Sequence, residues 1–181
     1  MSLHVALVRN VNLGQRGHPS TEQVLHAFTK AGAVSATSVR SNGTIVLQAP
    51  DNEATAIAHR AVEVLAVEAG VEREAFSMPL DALRALVAEH GVEGDSERRE
   101  LTLHDGPALQ SDDPRLIEAE RRAHCTVLDS GPGWVVTLNH RDRQSNGTPL
   151  VEFVLGVPAT SRGLSTLVMV CDRFTDAVET S

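Results

Sequence analysis

The opening run Val5-Ala6-Leu7-Val8 most narrows what this chain can fold into. Four uninterrupted apolar residues match a short strand covered on both faces, because an exposed face would call for alternation. The run then empties into Arg9-Asn10-Val11-Asn12-Leu13-Gly14. Polar groups therefore gather at the carboxyl end of the strand, where open α/β layers tend to receive ligands.

The next elements follow from local signals. Gly14 to Pro19 reads as a loop, and Ser20 with Gln23 forms a capping box for a helix carrying Val24, Leu25, Phe28 and Ala31 until Gly32. Short strands are predicted around Ser38–Arg40 and Thr44–Gln48, with Asn42-Gly43 as a type I′ turn. An Ala-rich helix over about Glu53–Ala69 presents Ile57, Ala61, Val64 and Leu65 and stops at Gly70 before a strand over Glu74–Met78. The order β-α-β-β-α-β is ferredoxin-like.

The second half reads as a similar unit. Pro79 suits the first turn of a helix with Leu80, Leu83, Leu86 and Val87, ended by Gly91. Val92–Arg99 is a polar loop, and Leu101 and Leu103 alternate with polar residues as in a half-buried strand. Asp113-Pro114 starts a helix whose charges form a solvated face. A hairpin joins Cys125–Leu128 to Trp134–Leu138, with His124 and Cys125 on opposite faces of a strand. A terminal helix carries Leu164, Leu167, Val168, Cys171, Phe174 and Val178 on one face. The predicted fold is thus α+β: two ferredoxin-like (alpha-beta plait) units, residues 1–78 and 79–181, with mainly antiparallel sheets, helices on one face and a C-terminal helix.

Composition excludes several classes. A net charge of −8 opposes a nonspecific grip on nucleic acid. The chain has no Tyr, and none of its four Phe falls on the strands that would stack bases in the first unit. No apolar run reaches the ~20 residues of a membrane span, and no signal-peptide pattern opens the chain, so a cytoplasmic location is expected. Cys125 and Cys171 form no Cys-x-x-Cys pair, and the eight His show no metal-ligand spacing. No metal and no cofactor is expected.

Four islands of the sequence resemble the bacterial family called domain of unknown function 1697. Its members open with a strand followed by Leu-Arg-Gly-Ile-Asn-Val-Gly, against Val8-Arg9-Asn10-Val11-Asn12-Leu13-Gly14 here. The family's Ser-Gly-Asn hairpin corresponds to Ser41-Asn42-Gly43, and its Ser-Lys pair to Ser145-Asn146. Its Pro-Ala-Thr-Thr-Arg-Asn-Trp-x-Thr motif corresponds to Pro158–Thr166, with Gly163-Leu164 in place of Asn-Trp. A loop that often carries Gly and Lys reads Gln15-Arg16-Gly17-His18. The resemblance implies paired ferredoxin-like units and no established activity.

Two arginines stand in these islands at element ends. Arg9 follows the first strand, and Arg162 is expected near the N-terminus of the terminal helix, with Thr160 or Ser161 as its cap. A cation there faces the positive end of the macrodipole, so an anion is the natural companion. The leading expectation is a small anionic ligand or partner group held by Arg9, Asn12, Gly14, Ser41, Ser145, Thr160, Arg162 and Thr166. One alternative is an enzyme of acyl or phosphoryl transfer or hydrolysis using the Ser41 or Ser145 hydroxyl, which needs a base within hydrogen-bond reach. Another is a structural module forming a homodimer.

Overall fold

The computed structural model describes residues 1–91 and 95–175. The chain divides into two compact units, Met1–Ala82 and Leu83–Ser181.

Unit 1 runs β1 (Ser2–Val8), α1 (Thr21–Lys30), β2 (Ser35–Arg40), β3 (Thr44–Ala49), α2 (Ala54–Ala69) and β4 (Ala75–Pro79). Its antiparallel sheet has the order β2-β3-β1-β4. The central place of β1 explains its composition: Val5, Ala6, Leu7 and Val8 are each 0% exposed. Ala6 and Val8 join Ile45 and Leu47 in the core under α1 and α2, with Phe28, Ile57 and Leu65. Burying each such large side chain contributes about 1.5–3 kcal/mol. The capping box forms, with Gln23 N donating to Ser20 Oγ at 3.1 Å and Ser20 N to Gln23 Oε1 at 2.8 Å.

The β2–β3 hairpin is present, but its turn is not type I′. Of its tip residues only Gly43 has positive φ (+79°), and the register shifts between Ser38 and Arg40. That is the pattern of a three-residue connection with glycine in the left-handed position. Pro79, expected in a helix, ends β4 instead, opposite His4. On the edge strand its missing N–H leaves no ladder bond broken.

The helix α3 (Leu80–His90) crosses the boundary, and β5 (Arg99–His104), α4 (Pro114–Ala123), β6 (Cys125–Gly131), β7 (Trp134–Asn139), α5 (Gly147–Leu155), β8 (Ala159–Gly163) and α6 (Leu164–Arg173) complete the chain. The antiparallel order β6-β7-β5-β8 repeats that of unit 1. Asp113 caps α4 with Pro114 in its first turn. Glu118 pairs with Arg121 and Arg122 on its solvated face.

Four expectations change here. First, Thr160, Ser161 and Arg162 lie on β8, and the N-cap of α6 is Gly163, which makes no side-chain cap bond. Pairing with β5, Leu103 to Thr160 and Leu101 to Arg162, holds the segment extended. Second, His124 is the left-handed C-cap of α4 (φ +52°) rather than a strand residue. Third, β5 is not half-buried: Glu100, Thr102 and His104 are at most 3% exposed, like Leu101 and Leu103. The helix α5, absent from the sequence expectation, brings Gly147 against the polar face of β5 and β7. Fourth, α6 buries Leu164, Leu167, Val170 and Cys171 but ends at Arg173; residues 92–94 of the predicted loop and Val178 lie outside the described residues.

His104 has a consequence for pH. Its Nδ1 accepts from Gly106 N at 2.9 Å, while Nε2 is buried with no hydrogen-bond partner among the described residues. Burial lowers its pKa below the usual 6.5, and the same cause lowers that of His4 against the opposing pull of Asp51. The unfolded chain therefore takes up protons at these sites before the folded chain does, so stability present above about pH 6.5 is lost as pH falls. Urea midpoints are expected to drop between pH 7.5 and 5.5, with a smaller drop in His104→Gln and in His4→Gln. Equal midpoints at the two pH values would refute the burial argument.

Candidate functional site

In unit 1 the segment after β1 is tethered through its backbone. Val8 N donates to Gly43 O at 2.8 Å, Arg9 N to Glu74 O at 2.8 Å and Leu13 N to Ser41 O at 2.6 Å. Val11 and Leu13 enter the core, which leaves Asn10, Asn12 and Gly14 exposed between them. Asn12 N donates to His18 Nδ1 at 3.0 Å, and Gly14, at φ +82°, donates its N–H to Pro19 O at 3.0 Å. Arg9 Nη1 reaches Glu74 Oε1 at 3.3 Å. Arg73 Nε donates to Asn10 O at 2.9 Å, bringing a second guanidinium to this end of the sheet. The sheet end thus brings Arg9, Asn12, Gly14 and Ser41 into one neighbourhood, with Ser41 acting there through its carbonyl.

In unit 2 the polar face of the sheet is organised around Glu100. Its Oε2 accepts from Ser145 Oγ at 2.8 Å, and its Oε1 accepts from Asn146 N at 2.7 Å and from Gly147 N. These amides open α5, so a buried carboxylate caps the helix from the sheet below, where negative charge is favoured. Beside it Ser161 Oγ lies 2.7 Å from Thr102 Oγ1 and 2.8 Å from Thr148 Oγ1. Both Glu100 oxygens take part in this cap, so the Ser145–Glu100 contact ties the loop before α5 to the sheet. Burial, with Glu100 and Glu120 nearby, pushes the Cys125 thiol up to about 12, away from the thiolate form.

Arg162 projects from β8 on the face opposite Ser161. Its Nη1 donates to Thr160 Oγ1 at 3.0 Å and to Ser161 O at 2.7 Å. Burial lowers its pKa to about 10, the direction expected when desolvation disfavours a cation. Thr166, half-buried, stands in the first turn of α6. None of the eight predicted residues lines two of the surface clefts, one of 250 Å³ beside Glu22, His26 and Glu68 and one of 360 Å³ beside Arg122, Asn146 and Phe153.

Sequence reasoning missed Glu74 and Glu100. The first is only a carboxylate before a strand. The second occupied the polar register of an alternating strand, which ordinarily means solvent.

Two antiparallel sheets in ferredoxin-like order, each with a pair of helices on one face, define an α+β protein of the alpha-beta plait class. No helix among the described residues is long and apolar enough to cross a membrane. The profile of the family described as "Protein of unknown function (DUF1697)" matches residues 1–126, and the chain belongs to that family. The matched segment holds the first two sequence islands, whereas Ser145 and Pro158–Thr166 lie beyond it. The fold is also that of the conserved bacterial protein SP0830 from Streptococcus pneumoniae, at 14% identity and a TM-score of 0.60 over 94% of this chain and 97% of that one. No curated protein matches the chain.

Proposed function

We propose that the protein binds a small anion, such as a phosphate or carboxylate, rather than transforming it. The observation that carries this reading is the Arg162 guanidinium, half-buried on β8 one residue before the side-chain-uncapped N-terminus of α6. A half-buried cation and the positive end of a helix both favour an anion, and Thr160 and Thr166 add hydroxyl donors. In unit 1, Arg9 with the exposed Asn12 and Gly14 forms a second anion-favouring neighbourhood, with Ser41 shaping the loop through its carbonyl. Ser145 contributes through Glu100, by fixing the start of α5.

Thermal unfolding in inorganic phosphate, citrate and nucleoside monophosphates tests the reading. A ligand at a hundred times its Kd adds about 2.7 kcal/mol to stability by mass action. The wild-type midpoint is expected to rise with at least one of these anions, and the rise to vanish in Arg162→Gln or Arg9→Gln. No shift with any anion, or an equal shift in both variants, would overturn it.

A further inference from the structure

We propose that Glu89, His90 and Asp129 form a binding site for a divalent first-row metal ion, with Zn²⁺ the best fit. Each residue offers a ligand atom, and these atoms all lie within 4.8 Å of one another. His90 Nε2 is already 3.1 Å from Asp129 Oδ2. Donors bound at about 2.0–2.2 Å to one tetrahedral ion stand roughly 3.3–3.5 Å apart, so that pair needs almost no movement. Only Glu89, which is exposed, must turn inward by about an ångström on this geometry.

The backbone builds the arrangement deliberately. Val127 pairs with Thr137, but the register then shifts and Asp129 pairs with Val136. Leu128 is therefore the extra residue of a β-bulge, and it transfers Asp129 from the Thr137 face of the sheet to the opposite one. There Asp129 meets His90, the last residue of α3. Both partners are held from behind: Asp129 Oδ1 accepts from Ser130 N at 2.8 Å, and the His90 carbonyl accepts from Arg99 Nη1 at 2.8 Å. His90 is 8% exposed while Glu89 stands at the rim, so an ion would enter past Glu89 and settle on the imidazole.

The donor set selects the ion. One imidazole favours Zn²⁺ and its neighbours over Mg²⁺ or Ca²⁺, and two carboxylates match a dication. Three protein ligands leave one coordination position for water, as in zinc sites that keep an open place. The expectation of no metal rested on ligand spacing within one segment, whereas these ligands are 39 positions apart and meet only through the bulge.

Calorimetric titration of the full chain with ZnCl₂ in phosphate-free buffer tests the site, together with the visible spectrum of the Co²⁺-loaded protein. One ion per chain and a ligand-field band of low coordination number are expected. Glu89→Gln and Asp129→Asn should each weaken binding about tenfold or more. Neither substitution threatens the fold, since Glu89 is exposed and asparagine keeps an acceptor for His90; circular dichroism checks this. Absence of binding heat and of a Co²⁺ band, or wild-type affinity in both variants, would overturn the proposal. Phosphate and citrate play no part in this test, so its failure and that of the anion reading are separable.

Discussion

Replacing Glu100 with alanine is expected to destabilise the protein by about 3–5 kcal/mol, read from urea midpoints, because it strips a buried helix terminus of its acceptor. The carboxylate serves Ser145 Oγ and the amides of Asn146 and Gly147 at once. Alanine leaves those donors buried without partners, each costing about 1–3 kcal/mol, and adds a cavity. The surroundings cannot close over it, because a Cβ on Gly147 would already stand 2.3 Å from Thr102 Oγ1 and 3.0 Å from Thr137 Oγ1. Glu100→Gln separates charge from hydrogen bonding. Its carbonyl oxygen keeps both amide bonds, and the Ser145 hydroxyl rotates to accept from the new NH₂, so a loss of only about 1 kcal/mol is expected. A Glu100→Ala loss below that of Glu100→Gln would show that α5 is held by apolar contacts alone.

Gly43→Ala is expected to cost about 2–5 kcal/mol, from two independent terms. At φ +79° an alanine pays roughly 1–2 kcal/mol for the left-handed conformation. Its Cβ would also lie 2.3 Å from Val11 Cγ2 and 2.8 Å from the carbonyl oxygen of Val8. Val11 is buried in the core and Val8 O belongs to the central strand, so overpacking adds 1–3 kcal/mol as an order of magnitude. Gly14→Ala is the control. It shares a positive φ of +82° but meets nothing within 4 Å, so it should show the conformational term only. Equal losses at the two positions, measured by urea denaturation, would mean that the hairpin tip does not brace the loop carrying Arg9 and Asn12.

These two predictions divide along what could be read in advance. Ser20-x-x-Gln23, Asp113-Pro114 and Gly70 act through bonds within a few residues of themselves, so local pattern suffices to place them. The same holds for Arg9, which leaves a fully apolar strand and therefore marks a sheet end. Arg162 was harder. Thr-Ser-Arg before an apolar run satisfies the rules for a helix start, and only pairing with β5 makes it a strand. The segment Gly147–Leu155 is rich in β-branched and aromatic residues, so its helical state depends on Glu100 below it and on packing through Leu150, Val151 and Val154.

The sequence by itself determined the element order of unit 1, the capped starts of α1 and α4, the presence of a second similar unit and the family. Those follow from hydrophobic period and from caps and turns, whose interactions are short in sequence. Tertiary structure alone decided that the polar face of β5 is covered, that Ser145 anchors a helix through Glu100, and that Arg162 stands on a strand. It also decided that one bulged residue turns Asp129 toward Glu89 and His90. Each of these depends on which strands pair and in what register. A shift of one residue there reverses every side chain beyond it, and no local pattern records that.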